Sequence, residues 1–370
     1  MIKVLNIISD KNIGGAGRCV LNFLKHYDRK NFDISVVVPE GSLLIPEIEK
    51  LNAKVIEVSG IADKSLDLKC IGSLKKIIKS ENPDVVHTHG TFSGRIAAKL
   101  CHKKIIYTRH SVFPVSKKIS RQPGKTVNKL VNEFFSDDII AVAEAAKDNL
   151  TEGGISDKKI KVILNGVETV EKCTPSEIAE TKKKYGINDD DFVIGIMARL
   201  EAVKGHKYLI DAGRILKKKG KKIKILIIGT GGIEDKIRDY VNKTDMNDTV
   251  VFTGFIKNVR EILSIMDIQA NASYGTEATS LALLEGMSMG IPAVVSDYGG
   301  NPGVISHGEN GYIFKLKDSK DMALYIEKIM NEPETFEYMK NKSKEIFNKK
   351  FTADIYARNI ENVYRDVLKK

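Results

Sequence analysis

The sequence predicts a two-domain α/β protein with parallel sheets covered on both faces by helices. Three observations carry that prediction. A length of 370 residues exceeds one ordinary core and suits two domains of roughly 150–200 residues. Short β-branched runs alternate with helical patterns, the signature of parallel strands joined by crossover helices. The alternation breaks at the polar stretch Glu168–Asp191 and then restarts.

In chain order, the strands expected in the first half are Ile2–Ile8, Ile34–Val38, Asp84–His87, Ile105–Thr108, Ile139–Val142 and Val162–Leu164. Helical spacing lies between them, as at Cys19–Tyr27, Leu68–Lys79 and Ala145–Leu150. The second half supplies Phe192–Met197, Ile223–Ile228, Val250–Phe252, Ile268–Asn271 and Ala293–Ser296 as strands. Its helices are expected at His206–Lys218, Val259–Met266 and Leu281–Met287. The domains are therefore expected at 1–167 and 190–350, with the boundary near 165–190. The last helix, near Ala353–Leu368, lacks a following strand and is free to cap either domain.

Composition narrows the function classes. The chain is 42% hydrophobic and 29% charged, as expected of a soluble globular protein. A formal charge of +11 fits an ordinary basic surface or attraction to an anionic partner. The excess is concentrated: Lys99 to Leu130 holds nine Lys or Arg and no acidic residue. Within 112–129, Lys117, Lys118, Arg121, Lys125 and Lys129 interleave with Val112, Phe113, Val115, Ile119 and Val127. That mixture suits peripheral contact with an anionic membrane, and a solvated positive face fits it equally. Cys19, Cys70, Cys101 and Cys173 form no C-x-x-C pair, so free thiols in a reducing cytoplasm are expected. The opening apolar run is too short for a signal peptide, and no apolar run reaches the ~18 residues of a membrane span.

Four segments have the chemistry to hold a phosphate-bearing ligand. Gly14, Gly15 and Gly17 follow the first strand and open a helix, with Arg18 beside them. Glycines there permit close approach to helix-start amides, which suits a ligand loop or a plain tight turn. Neither the G-x-G-x-x-G fingerprint nor a P-loop is present. Gly229, Gly231 and Gly232 form a second turn after a strand, at the ligand-facing edge of a parallel sheet. Arg199 and Lys204 follow the strand Phe192–Met197 and are placed to neutralise a diphosphate. The run Glu277 to Pro292 is the richest: Thr279 and Ser280 supply capping hydroxyls, and Leu281, Leu284 and Met287 recur at helical spacing. Glu285 is nearly the only charge in that apolar helix, which argues for an inward carboxylate able to pair with ribose hydroxyls.

These residues together resemble the retaining glycosyltransferases of the GT-B fold, the glycogen-synthase and mannosyltransferase-like group 4 enzymes. The resemblance rests on the opening glycine loop, Arg199 with Lys204, Glu277 and Glu285 spaced as Glu-x7-Glu, and Gly286, Gly290, Pro292 and Gly299–Pro302. It implies two Rossmann-like domains facing across a cleft, with the donor held by the C-terminal domain and the acceptor met by the N-terminal one. It implies that the terminal helix 353–370 crosses back to the first domain. By the same resemblance, Arg199 and Lys204 hold the donor phosphates, Glu285 the ribose, and Glu277 lies by the transferred sugar. Gly229, Thr279, Ser280 and Leu281 line the donor, and His110 is the active-site histidine. Asn165 joins Gly14, Gly15, Gly17 and Arg18 at the acceptor and diphosphate loops. The family departs here at Gly303, where a glutamate is usual, and at Ala278 and Thr279 in place of Gly and Phe.

The expected partners are a nucleoside-diphosphate sugar, most readily a UDP-sugar, and a surface-glycan or lipid-linked saccharide acceptor, with no metal, no further cofactor and no nucleic acid. A synthase or phosphorylase acting on a soluble sugar, and a non-catalytic nucleotide-sugar-binding protein, are the alternatives. Lys204→Ala is expected to weaken transfer severely while sparing the fold. The location implied is cytoplasmic, with membrane association on the cytoplasmic face.

Overall fold

The structure is a computed structural model that describes residues 1–61 and 66–370. It divides into two compact units, Met1–Val167 with Phe351–Lys370, and Glu168–Lys350.

The first unit is built on seven strands: β1 (Ile2–Ile8), β2 (Phe32–Pro39), β3 (Lys54–Val58), β4 (Val85–His89), β5 (Lys104–Arg109), β6 (Asp138–Ala141) and β7 (Ile160–Val162). They lie in the order β3-β2-β1-β4-β5-β6-β7, and every neighbouring pair is parallel. The order reverses between β1 and β4, the position where open α/β sheets leave a crevice beyond the strand ends. The strand β3 is absent from the sequence reading because Lys54 and Glu57 interrupt its short apolar run at the sheet edge. The strand β7 falls two residues earlier than the apolar run Val162–Leu164 suggests.

The helix Ala353–Leu368 belongs to this first unit. Val167 N–H donates to the Phe351 carbonyl and Ala353 N–H to the Val167 carbonyl, each at 3.0 Å, tying the returning chain to the departing one. Thr352 caps the helix by accepting Ile355 N–H. Tyr356, Ile360, Val363, Tyr364 and Val367 then form one fully buried stripe. Phe23 and Phe32 pack around the Tyr364 ring at 5.9 and 6.0 Å. Burying each such side chain contributes roughly 1.5–3 kcal/mol, enough to fix the helix without a partner strand.

The second unit holds β8 (Phe192–Met197), β9 (Ile223–Ile228), β10 (Val250–Gly254), β11 (Ile268–Asn271), β12 (Ala293–Ser296) and β13 (Gly311–Phe314). Their order is β10-β9-β8-β11-β12-β13, again all parallel, so the reversal falls between β8 and β11. The stretch 168–189, which from sequence reads as a connection, packs into this unit. Its helix Pro175–Lys184 starts on a capping box of Thr174 and Glu177, and Glu177 accepts two bonds from Arg260 at 2.8 and 3.0 Å. Among the described residues no helix is long and apolar enough to cross a membrane.

Candidate functional site

The reversal between β8 and β11 brings two loops far apart in sequence to the same sheet edge. The loop after β8 carries Arg199 and the short turn Ala202–Lys204 before the helix His206–Lys218. The loop after β11 carries Glu277 and leads into the helix Leu281–Ser288. Tyr274 N–H donates to the Val203 carbonyl at 2.8 Å, stitching the loops together. Gly205 is required here: its φ is +72°, and a Cβ would stand 2.1 Å from the Ala272 carbonyl oxygen.

Lys204 and Glu277 meet across this seam. The ammonium donates to Glu277 Oε2 at 2.9 Å and to the Thr276 carbonyl at 3.0 Å. Ser273 Oγ and Asn271 Nδ2 donate to the same Oε2 at 2.8 and 3.3 Å. Three donors thus converge on one carboxylate oxygen, and Oε1 takes none of them. The side chains are 13% and 9% exposed, so the pair is little screened by water. Behind it, Gly300 N–H donates to the Glu277 carbonyl at 3.2 Å. Ser296 Oγ donates to the Ser273 carbonyl at 2.6 Å, and Asn301 Nδ2 donates back to Ser296. Asn271, Ser273 and Ser296 escape sequence reasoning as site residues, since short polar residues at strand ends look like ordinary turns, whereas Asn301 lies within the Gly299–Pro302 pattern. At Gly303 a Cβ would meet nothing within 4 Å, so packing does not impose the missing side chain.

The other residues singled out from sequence in this unit are placed in different ways. Arg199 is 73% exposed and reaches outward to Glu201 Oε1 at 2.9 Å, so the structure does not bring it to the Lys204–Glu277 pair. Glu285 is 6% exposed, in keeping with an inward carboxylate. Ser280 Oγ caps the helix by accepting Leu283 N–H and keeps its own O–H to donate, while Thr279 is half-buried just before it. The Leu281 side chain is buried, leaving its backbone at the first turn of the helix. Gly229 has a packing reason of its own: φ is +136°, and a Cβ would stand 2.2 Å from the Ala198 carbonyl oxygen. Its turn therefore supports the backbone of the Arg199 loop.

In the first unit the glycine loop opens the helix Gly15–His26. A Cβ on Gly17 would press on Leu44 at 3.0 Å, whereas Gly15 has open space. The Gly17 amide already binds the carboxyl of Asp10, whose pKa is raised by burial against that bond. One helix-start donor is thus spent on an internal carboxyl group, which competes with a diphosphate there. Burial also lowers the pKa of the half-buried Arg18. Asn165 is buried just before Gly166, whose carbonyl accepts from Asn22 Nδ2 at 2.9 Å.

His110 follows β5 and is joined to histidines that the sequence reading left out. His89 Nδ1 lies 2.8 Å from His110 Nε2, and His89 Nε2 lies 3.0 Å from Asn6 Oδ1. His87 bridges Tyr364 Oη at 2.8 Å and Thr108 Oγ1 at 2.6 Å. Burial holds all three below the usual imidazole range, His110 at about 4, His87 at about 3 and His89 well below its ordinary value. The signal available in the sequence was the pair His87-Thr-His89 ending an otherwise apolar strand.

The basic segment is partly helical. The helix Gly124–Phe134 buries none of its residues, and Val127, Leu130 and Phe134 stand exposed at helical spacing. Phe113, Ile119, Lys117, Lys118, Arg121 and Lys129 are exposed with them, while Val112 packs partly against the core of the first unit. The exposed apolar stripe therefore runs beyond residue 129, to Phe134.

Comparison with known proteins places these features in a family. The family described as Glycosyltransferase Family 4 matches residues 13–171, and the family described as Glycosyl transferases group 1 matches 177–346. The putative glycosyltransferase EpsD of Bacillus subtilis is 27% identical over 329 residues, 85% of this chain and 84% of that protein. The UDP-Gal:alpha-D-GlcNAc-diphosphoundecaprenol alpha-1,3-galactosyltransferase of Escherichia coli is 26% identical over 339 residues, 86% of this chain and 85% of that protein. Among solved structures, Anabaena HepE in complex with UDP superposes with a TM-score of 0.85 at 21% identity, covering 99% of this chain and 100% of that one. HepE has also been solved with UDP-glucose.

Proposed function

We propose, since this chain belongs to the group 4 glycosyltransferases of the GT-B fold, that it transfers a hexose, with retention, from a nucleoside-diphosphate sugar to a saccharide or lipid-linked acceptor. The observation that carries this reading is the Lys204–Glu277 pair at the β8–β11 reversal, beside the buried Glu285. An ammonium has three donors. Glu277 and the Thr276 carbonyl take two, which leaves one for a donor phosphate oxygen. Arg199 adds the second charge by leaving Glu201. An exposed pair of that kind is worth at most ~1 kcal/mol, so a phosphate displaces it at little cost. Together with amides at the start of the Leu281–Ser288 helix, these groups stabilise charge on the departing diphosphate. Glu285 holds the ribose.

Glu277 orients the sugar. A carboxylate with three donors on Oε2 is oriented and weakly nucleophilic, which favours same-face attack guided by the leaving phosphate over a covalent intermediate. The second unit is the donor domain in this reading, and the first, with His110, Asn165 and the Gly14–Arg18 loop, serves the acceptor. Because Asp10 already occupies the Gly17 amide, that loop suits hydroxyl groups better than a second diphosphate.

UDP is the nucleotide to test first, because HepE carries it in a structure of the same fold. Calorimetry with UDP and UDP-glucose, and hydrolysis of UDP-glucose without acceptor, test the donor site. Saturable UDP binding lost in Glu285→Ala is expected, and no binding of any nucleoside diphosphate would sink the reading. A lipid-linked acceptor is favoured by the exposed Val127, Leu130 and Phe134 stripe among lysines, which suits anionic lipid on the cytoplasmic face. Co-sedimentation with vesicles should rise with anionic lipid content, and indifference to it would remove the membrane from the proposal.

A further inference from the structure

The buried histidines of the first unit form an ordered chain of donors and acceptors that ends at His110. Asn6, on β1, presents Oδ1 to His89 Nε2 at 3.0 Å. With Oδ1 on the His89 side the proton of that contact sits on His89 Nε2, since a carbonyl oxygen only accepts, and Asn6 Nδ2 is left buried without a hydrogen-bond partner. The reversed amide would move every proton of the chain by one nitrogen, which the tautomer spectrum below distinguishes. A neutral imidazole has one N–H, and His89 Nδ1 is then a bare lone pair. That lone pair lies 2.8 Å from His110 Nε2, a distance that two lone pairs do not tolerate, so His110 Nε2 carries its own proton. Burial keeps both rings neutral, with His110 pushed down to about 4 and His89 well below its ordinary value.

We propose that Asn6 and His89 are positioning residues that lock His110 in its Nε2–H form and leave Nδ1 as an acceptor for a substrate hydroxyl. This rests on the reading of His110 as a site residue. His87 braces the arrangement without joining the chain. Its nitrogens are tied to Tyr364 and Thr108, and its ring lies 4.2 Å from that of His89. The His89 and His110 rings lie 5.1 Å apart at 28°. A metal reading of the three rings is not supported, because both nitrogens of His87 and of His89 are spent on neighbours, which leaves His110 Nδ1 alone. Among the described residues no group of His, Cys, Asp and Glu gathers as a ligand set. The consequence is directional: a hydroxyl meeting His110 donates its proton in the hydrogen bond and keeps its lone pairs for another contact. The strand pairing supports the assignment, since β1, β4 and β5 are adjacent and His89 faces Thr108 in register beside the loop of His110.

The direct test is the tautomer itself, read from long-range proton–nitrogen spectra of histidine-labelled protein near neutral pH. The chain has seven histidines, so His110 is assigned by the signal that vanishes in His110→Asn. His110 in the unsubstituted protein should show a protonated Nε2 and a bare Nδ1. In His89→Phe the single form should give way to a mixture, and kcat for UDP-glucose hydrolysis should fall about tenfold with KM within about twofold, as for loss of one buried positioning bond. His89→Asn places a carbonyl oxygen near the former Nδ1 and should restore both. If His89→Phe does not fold, Asn6→Leu makes the same test from the other end of the chain. A protonated Nδ1 or a mixed tautomer in the unsubstituted protein overturns the proposal, as does a tautomer unchanged by both substitutions. Unchanged turnover in His110→Ala would instead remove the site role of His110, leaving the tautomer result to stand or fall by its own spectrum.

Discussion

Removal of the Lys204 ammonium is the sharpest perturbation of the proposed donor site. From sequence alone Lys204→Ala is expected to spare the fold, but the geometry argues otherwise. Glu277 is 9% exposed, and without Lys204 it keeps only Ser273 and Asn271 on Oε2. Stranding a buried carboxylate costs ~3–5 kcal/mol, and two surviving donors reduce that to roughly 2–3 kcal/mol. For a unit of this size each kcal/mol lowers the melting temperature by about 2–4 °C, so a fall of about 4–12 °C is expected. Turnover should drop by roughly 10²–10³, the cost of deleting one charged donor from a leaving group. The two effects separate in Lys204→Met/Glu277→Gln, which removes both charges and should recover most of the lost stability while remaining inactive. Differential scanning calorimetry run beside UDP-glucose hydrolysis measures both. A single variant that melts with the unsubstituted protein would show the pair to be solvent-screened. A double variant that regains turnover would refute the phosphate role.

Glu285→Gln should raise the UDP dissociation constant about 10–100-fold by calorimetry, the cost of losing charged hydrogen bonds in a buried site, and unchanged affinity would discard the ribose role. Acid should weaken the fold before the carboxylates titrate. His87, His110 and His206 are held by burial at about 3, 4 and 4, below their ordinary 6.5. Their contribution is therefore complete above about 6.5 and is lost as pH falls towards 4–3, at ~1.4 kcal/mol per pH unit for each proton taken by the unfolded chain alone. Urea midpoints that stay flat from neutral pH to about 5 would refute it, and His206→Leu should reduce the slope. Gly205→Ala forces a Cβ to 2.1 Å from the Ala272 carbonyl at φ +72°. It should cost at least ~2 kcal/mol and loosen UDP binding with it, both readable in one thermal-shift titration.

The legible part of the fold was the part that water dictates. Buried strands such as Phe192–Met197 and Ile223–Ile228 are continuous apolar runs, and their bounds follow from composition alone. The edge strands β3 and β13 are not: Lys54 and Glu57 punctuate one, and Gly311 opens the four residues of the other. The β3 run is broken by two charged residues at the sheet edge, whereas β13 is mostly buried but only four residues long, too short for its pattern to register. The terminal helix shows a further limit. Its amphipathic stripe is visible in sequence, but whether it belongs to the first or second unit depends on Val167 pairing with Phe351 and on Tyr364 reaching His87.

At the candidate site, sequence supplies residue types and order, while roles depend on how hydrogen-bond donors are spent. Arg199 and Lys204 look equivalent as cations five residues apart, yet one is exposed against Glu201 and the other is buried against Glu277. Gly14, Gly15 and Gly17 look like one anion loop, yet Asp10 has already taken an amide from it. In each case the residue's partner comes from a different part of the chain or a neighbouring turn, and the count of remaining donors decides the chemistry. On the proposed function the same counting would make Glu277 an orienting group: three donors on Oε2 leave Oε1 to hold a sugar hydroxyl in place. A substitution that removes one of the three donors on Oε2 without removing the charge, Ser273→Ala, should therefore loosen sugar positioning more than nucleotide binding. It should raise KM for UDP-glucose while leaving the UDP dissociation constant within about twofold, and an equal loss of both would place Glu277 on the diphosphate instead.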